Sequence, residues 1–196
     1  MPLPLPFTWP HLLVFWAVYI WAFIPEFRIV RAARSTPEPA EDRGSLRVVL
    51  LTFNIAIIAA FILPFIARRA ALPGNRSAWY YAGVLTLYCG SRLRRHCFRA
   101  LGTFFTGTVQ IQSGHQVVDG GAYRWLRHPS YSAALLMVLG ITLALGNWLS
   151  VAVCFIMTAS AYSYRAHVEE HALLASLGAP YARFMATRKR FVPFIY

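Results

Sequence analysis

The chain is built from long apolar blocks separated by short polar and basic stretches. A helix needs roughly 20 apolar residues to cross a bilayer, and most of the blocks reach that length. We therefore predict an all-α, polytopic membrane protein with about five transmembrane helices, at residues 9–30, 46–67, 78–98, 132–145 and 148–164.

The last two blocks predict a helical hairpin. Gly146 and Asn147 stand between them and are typical of a turn. The block at 132–145 gives a helix of only roughly 21 Å, less than a bilayer core, so this hairpin is tilted or incompletely spanning. Its second helix is expected to continue into water as far as Leu177, because Gly178 is a typical helix stop.

Composition and charge predict how these helices are oriented. The chain is 58% hydrophobic and carries a net charge of +12, which in a soluble protein would indicate nucleic acid as a partner. With the N-terminus outside, however, sixteen of the nineteen basic residues fall inside, and only Arg68, Arg69 and Arg76 fall outside. This distribution follows the positive-inside rule, so it indicates a multi-pass topology and contact with membrane lipid instead of nucleic acid.

No repeat or boundary divides the chain, so one membrane domain is expected over residues 1–196. Residues 35–44 hold three acids and two prolines, and they predict a flexible loop. Cys89, Cys97 and Cys154 lack the spacing of a disulfide framework or a zinc site, so no metal is expected.

A polar constellation borders the apolar blocks of the last third. It comprises the run 127–131 (Arg-His-Pro-Ser-Tyr), Arg165, Glu169 and Glu170. Ionisable residues are costly beside a bilayer, so each needs a functional or structural reason. The orientation above places all of them on the cytoplasmic side, which predicts a cytoplasmic pocket there.

From about residue 101 onward the chain resembles the isoprenylcysteine carboxyl methyltransferase family of integral membrane enzymes. The landmarks, in order, are Gly114 to Val118, Gly120 to Tyr123, Arg127 to Tyr131, Glu169 and Glu170, Gly178, Tyr181 and Val192 to Phe194. The resemblance implies that 101–196 form the cofactor-binding and catalytic part. Residues 1–100, which carry no such landmark, are then the acceptor side.

The resemblance also implies S-adenosylmethionine as the cofactor. Glu169 matches a cofactor contact, and its carboxylate suits the α-ammonium group of that donor. A glutamine before His115 contributes in the family; Gln110 and Gln112 both qualify, and we choose Gln110. The expected cofactor-binding residues are Gln110, His115, Gln116, Val117, Val118, Tyr123, His128, Pro129, Ser130, Tyr131 and Glu169.

Pro129 predicts the start of a helix, because a missing backbone donor does no harm at the first helical position. Ser130 and Tyr131 then lie in the first turn, where free N–H groups suit the carboxylate of the donor. An ordinary helix cap is compatible with the same pattern.

Arg165 lies four residues before Glu169, which places both on one helix face. One interpretation is a simple ion pair within the helix. In the other, which the family match favours, Arg165 is the catalytic and substrate-binding residue, because its planar guanidinium can orient an acceptor carboxylate.

The implied function is methyl transfer to a lipophilic acceptor, first a prenylcysteine-like carboxylate and second a lipid amine or small thiol. A carboxylate needs no general base, whereas an amine or thiol would need one, and His128, His167 and His171 are the nearby histidines. Two other classes stay open: a sterol-type membrane reductase with a nicotinamide cofactor, and a non-enzymatic membrane scaffold whose charges anchor helix ends.

Overall fold

The computed structural model describes residues 2–34, 40–102 and 117–192, with only the backbone described at 28–34 and 40. The regular elements of the described residues are all helices, and no strand occurs among them beyond two isolated bridges. The α-helices are α1 (His11–Arg34), α2 (Ser45–Ile66), α3 (Arg76–Leu101), α4 (Pro129–Leu145), α5 (Trp148–Leu177) and α6 (Ala179–Thr187). The all-α class is therefore confirmed.

Each of the five predicted segments coincides with one of the helices α1 to α5, and α6 is an addition. Pro25 does not interrupt α1, which continues to Arg34. Asn75 starts α3, because its side chain accepts the N–H groups of Ser77 and Ala78. Local pattern and capping thus account for most of these boundaries.

Among the described residues, α2 is long and apolar enough to cross a membrane, with a mean hydropathy of 2.6 over its most apolar stretch. The apolar helices His11–Phe27 and Pro129–Leu145 are shorter. The face of α2 turned away from the bundle is an apolar stripe at helical spacing, formed by Leu51, Ile55, Ile58, Ile62 and Ile66. Such a stripe is suited to lipid, while the number of spans stays a prediction.

Helices α3 and α4 pack through glycines. A Cβ atom added at Gly83 would lie 2.3 Å from the backbone nitrogen of Ala144, and one added at Gly140 would lie 2.3 Å from that of Leu87. Small residues let two helix backbones approach in this way, which is a common association mode in membrane proteins. This seam fixes α4, whose first turn carries Ser130 and Tyr131 of the polar constellation.

The predicted hairpin is confirmed. Gly146 ends α4 with a left-handed φ of 73°, and the Asn147 side chain accepts the Ser150 N–H at 3.0 Å to begin α5. The Asn147 amide also donates to the carbonyl of Ala67 at 2.9 Å, which ties the hairpin tip to the end of α2. Helix α5 ends at Leu177, as predicted, with Gly178 at a φ of 58°.

The flexible-loop prediction for residues 35–44 is wrong where the structure describes that stretch. Ala40–Asp42 form a 3-10 turn, and the Asp42 side chain is fully buried. The reason is tertiary: Asp42 pairs with Arg165, 123 residues away in the sequence. We call residues 40–45 the α1–α2 turn.

Candidate functional site

The predicted helix start at Pro129 is confirmed, with His128 in front of it and both residues buried. The N–H groups of Tyr131 and Ser132 both donate to the carbonyl of His128, at 3.0 and 3.2 Å. The first turn therefore satisfies these two donors internally, which differs from the free N–H groups expected there.

The chain returns beside this helix start after α6. The N–H groups of Arg127 and His128 donate to the carbonyls of Lys189 and Arg190, at 2.8 and 3.1 Å. The Ser132 hydroxyl donates to the carbonyl of Phe191 at 2.6 Å. Residues 188–192, the C-terminal segment, thus cover the start of α4.

Glu170 is buried under the C-terminal segment. Its carboxylate accepts Arg190 Nε at 3.2 Å and pairs with His128 Nε2 at 3.0 Å and Arg127 Nη1 at 3.2 Å. Burial disfavours the charged form, but the hydrogen bonds from His128 and Arg190 and the nearby charges outweigh it and lower the pKa of Glu170 to about 2. Glu170 is therefore ionised although it is buried, and its carboxylate holds Arg190 of the C-terminal segment.

Glu169 differs from its neighbour in exposure, since 32% of its side chain is accessible against 5% for Glu170. The Tyr131 hydroxyl donates to Glu169 Oε2 at 2.5 Å, and His128 Nδ1 lies 3.5 Å from the same oxygen. Both nitrogens of the His128 ring therefore face carboxylates. The accessible carboxylate of Glu169 is the one that a soluble cation can reach.

Arg165 lies behind Tyr131 and is buried. Its Nε donates to the Tyr131 hydroxyl at 3.1 Å, and its Nη1 donates to Asp42 Oδ1 at 3.2 Å and to Ser45 Oγ at 3.0 Å. The simple ion pair with Glu169 is thus replaced by a connection through Tyr131 and a second carboxylate from the α1–α2 turn. We call the connected side chains the ionic network: Asp42, Arg165, Tyr131, Glu169, His128 and Glu170.

The structure brings together His128, Tyr131, Arg165 and Glu169 in this network, with the His128 and Tyr131 rings stacked at 5.1 Å. Pro129 and Ser130 lie buried at its edge. Tyr123 is also buried, and burial raises its pKa, with Cys97 and Glu169 adding to the rise and a hydrogen bond to Ser130 opposing it. Seven of the predicted site residues therefore cluster at one end of the bundle, and these are Tyr123, His128, Pro129, Ser130, Tyr131, Arg165 and Glu169.

The remaining predicted cofactor residues are less defined. Val117 and Val118 are half-buried at the beginning of the stretch 117–192. Gln110, His115 and Gln116, like the alternative Gln112, lie outside the described residues. Their assignment stays a prediction.

The sequence interpretation missed four partners in the site. Asp42 and Ser45 come from the α1–α2 turn, Arg190 comes from the C-terminal segment, and Arg94 of α3 donates to the carbonyl of Ser130 at 2.8 Å while pairing with Glu26 of α1. A signal existed for Asp42, since an acid just before an apolar block is a typical helix-capping residue. Indeed its Oδ2 accepts the N–H of Leu46 at 2.9 Å.

Within the described stretches, no three His, Cys, Asp or Glu side chains are arranged to hold a metal ion. The network instead offers an accessible carboxylate on one side of Tyr131 and a buried guanidinium on the other. This arrangement suits two ligands of opposite charge at adjoining positions, a cation at Glu169 and an anion at Arg165.

The chain is similar to known proteins in sequence and in fold. Residues 83–175 match the model of the isoprenylcysteine carboxyl methyltransferase (ICMT) family. Protein-S-isoprenylcysteine O-methyltransferase B of Arabidopsis thaliana is 28% identical over 138 residues, which are 68% of this chain and 70% of that protein. The protein-S-isoprenylcysteine O-methyltransferase of Saccharomyces cerevisiae is 30% identical over 115 residues, 58% of this chain and 48% of that protein.

A solved structure is also similar: the eukaryotic intramembrane Ras methyltransferase ICMT, with a TM-score of 0.60 and 24% sequence identity. The match covers 74% of this chain and 52% of that one, so the chain spans about half the length of the solved structure. At this identity the likeness shows a shared fold.

Fold and site together define an α-helical protein with apolar helices and one ionic site at the end of the bundle. The family whose model matches is that of the isoprenylcysteine carboxyl methyltransferases, and the match covers residues 83–175 of the chain. Arg165 and Glu169 both fall within that region, whereas Asp42 and Arg190 fall outside it.

Proposed function

We propose that the chain is an S-adenosylmethionine-dependent methyltransferase that methylates the carboxylate of a prenylcysteine-like acceptor at the cytoplasmic face of a membrane. The family region and the named relatives support the reaction type. The observation that carries the assignment of roles is the Tyr131 hydroxyl, which joins an accessible carboxylate, Glu169, to a buried guanidinium, Arg165.

On the donor side, Glu169 holds the α-ammonium group of S-adenosylmethionine. Its partial exposure permits a soluble cofactor to reach it, and the stacked rings of His128 and Tyr131 supply a flat surface beside it. When bound, the cofactor supplies a methyl group that its sulfonium charge has already activated. The protein therefore contributes alignment and exclusion of water.

On the acceptor side, Arg165 holds a carboxylate. Its Nε donates to the Tyr131 hydroxyl, which restricts the orientation of the guanidinium. A carboxylate is already nucleophilic when ionised, so Arg165 orients one oxygen for in-line attack and no proton has to be removed. The apolar helices within residues 1–100 bind the lipophilic chain of the acceptor.

The membrane placement rests on the apolar helices and on the charge distribution. The exposed stripe of α2 faces lipid, and the ionic network lies at the end of the bundle that carries most of the basic residues. Both observations support our proposal that the network lies on the cytoplasmic side of a protein with about five spans.

An amine or thiol acceptor, which would need a general base, finds less support. His167 and His171 are both exposed and pack against each other, with ring centroids 4.4 Å apart. His128 lies between two carboxylates within the ionic network. The carboxylate acceptor is therefore preferred.

Glu169→Gln tests the donor assignment. It removes the charge but keeps an oxygen that can accept the Tyr131 hydroxyl, so the fold is expected to survive. Calorimetry on the protein in lipid nanodiscs is expected to show S-adenosylmethionine binding to the wild type and no binding, or at least about tenfold weaker binding, to Glu169→Gln, since a charged hydrogen bond contributes about 1.5–3 kcal/mol.

Glu41→Gln is the matched control, because it removes the same charge from an exposed position. It should bind like the wild type. Transfer of a labelled methyl group to prenylated cysteines, lipid amines and small thiols then identifies the acceptor. A folded wild type that binds no S-adenosylmethionine would overturn the proposed function.

A further inference from the structure

The α1–α2 turn closes over Arg165 and presents a carboxylate to it. Asp42 is fully buried and uses both oxygens: Oδ1 accepts Arg165 Nη1 at 3.2 Å, and Oδ2 accepts the backbone N–H of Leu46 at 2.9 Å. Asp42 thereby links the start of α2 to the site. It lies outside the region that matches the family, so that match assigns it no role.

Two further contacts hold the turn against α5. Ser45 Oγ accepts the same Arg165 nitrogen at 3.0 Å, and the Tyr164 hydroxyl donates to the carbonyl of Arg43 at 3.2 Å. Arg43 and Gly44 have φ values of 45° and 73°, and the first is unfavourable for a residue with a side chain. The turn is therefore held in place by its contacts with α5, and losing them favours its release.

The charge of Arg165 limits what can bind there. An acceptor carboxylate is the same chemical group as the Asp42 side chain and would bind the same guanidinium. Two carboxylates beside one buried guanidinium repel each other, and Glu169 adds a further negative charge on the far side of Tyr131. The site therefore accommodates one of the two carboxylates at a time.

We propose that Asp42 is an internal occupant of the acceptor-carboxylate position on Arg165, and that the acceptor displaces it on binding. This inference rests on the proposed function, since it needs a carboxylate acceptor at Arg165. Displacement breaks the Asp42–Leu46 hydrogen bond and frees the α1–α2 turn. Acceptor affinity is thus set by competition with a side chain of the protein itself.

The same exchange explains how product leaves. In the transfer, a carboxylate oxygen of the acceptor forms a bond to the methyl carbon while the sulfur–methyl bond breaks, and the electron pair of that bond stays on sulfur. The acceptor becomes a neutral ester and the donor a neutral thioether, with no proton moved. The ester has no charge for Arg165, so Asp42 returns and the ester is expelled.

Asp42→Asn tests the competition, because it keeps the shape and removes the charge. The probes are N-acetyl-S-farnesylcysteine and its methyl ester, bound to the full chain in nanodiscs with S-adenosylhomocysteine present. Asp42→Asn is expected to bind the carboxylate probe at least about threefold more tightly than the wild type, because a neutral amide competes less for Arg165. It is expected to bind the ester as the wild type does.

Glu41→Gln is the matched control, since it removes a carboxylate from an exposed position in the same turn. It should leave the preference for the carboxylate within about twofold of the wild type, because no competing charge is lost. Weaker binding of the carboxylate probe to a folded Asp42→Asn variant would overturn the proposal, since Asp42 would then position Arg165 instead of competing for it.

Hydrogen exchange on the wild type gives a second measurement that does not depend on the variant folding. The carboxylate probe should reduce protection in a peptide covering residues 40–50, where the Leu46 N–H loses its acceptor, and the ester should not. Unchanged or increased protection with the carboxylate bound would contradict the proposal. If the protein nevertheless methylates the probe, only the displacement of Asp42 is wrong and the proposed function remains. A wild type that neither binds nor methylates the probe would contradict both the displacement and the proposed function.

Discussion

At the scale of single residues, Tyr131 is the central side chain of the site. Its sequence position at a helix start, within a family landmark, predicts a cofactor contact, and the structure places it in the expected cluster. Its hydroxyl, however, accepts from Arg165 Nε and donates to Glu169 Oε2. The side chain therefore joins the two proposed ligand positions, a role that depends on α4 packing beside α5 and that no local pattern encodes.

Tyr131→Phe should separate alignment from donor binding. Without the hydroxyl, Arg165 and Glu169 each lose a partner, so the guanidinium is less well oriented for the acceptor. We expect kcat to fall more than about tenfold, while the dissociation constant for S-adenosylmethionine changes less than about threefold.

Tyr88→Phe, which changes an exposed tyrosine on α3, serves as the control and should match the wild type. Steady-state kinetics and calorimetry make the comparison. A parallel loss of donor binding and turnover would mean that Tyr131 belongs to the donor pocket alone.

At the scale of elements, the apolar blocks predict α1 to α5 because block length and helix capping are local properties. The C-terminal segment is different. Its position beside residues 126–128 depends on Arg190 meeting Glu170 and on backbone hydrogen bonds between distant parts of the chain. The sequence there reads as a basic tail, which is why its covering role could not be predicted.

Attachment of the C-terminal segment should depend on pH through Glu170. Its pKa is lowered from 4.5 to about 2 in the folded protein. A lowered pKa stabilises the fold fully above the unfolded value, and this contribution is lost as the pH falls from about 4.5 towards 2. It is on the order of 3 kcal/mol for a buried carboxylate with this shift.

This pH dependence can be measured by thermal unfolding and limited proteolysis between pH 7 and pH 2.5. The wild type is compared with Glu170→Gln. The stability difference should be constant above about pH 5 and shrink below it, since protons then bind the Glu170 carboxylate of the unfolded chain but not yet that of the folded protein. In Arg190→Gln the loss of stability should be complete at a higher pH, because one of the groups that lower the pKa of Glu170 is gone. A difference that stayed constant to pH 2.5 would contradict the assignment.

At the scale of the whole molecule, the seam between α3 and α4 holds these two helices in register near the hairpin tip, at the end of α4 opposite the site. Gly140 has no room for a side chain, because a Cβ atom would lie 2.3 Å from the backbone nitrogen of Leu87. The apolar blocks predicted that both helices exist. They did not predict that the two meet through glycines, since this requires knowing which faces pack.

Gly140→Ala should destabilise the protein by at least about 2 kcal/mol, because backbone atoms must shift to admit the methyl group. Gly120→Ala is the control, since an added Cβ there has nothing within 4 Å. Thermal unfolding in detergent should show a midpoint several degrees lower for Gly140→Ala, by roughly 2–4 °C per kcal/mol. Equal midpoints for the two variants would refute the importance of the seam.

The glycine seam also restricts the paths that a long-chain molecule can take. A gap without room for one methyl group does not admit an isoprenoid chain, so the α3–α4 side of the bundle is a closed wall. Helices α1 and α2 instead meet through aromatic rings, as in the pairs Trp16 with Phe61 and Phe23 with Phe53. Side-chain rings can rotate, whereas packed backbones cannot separate in the same way. Under the proposed function, the prenyl chain of the acceptor would therefore approach Arg165 between helices that are held apart by side chains.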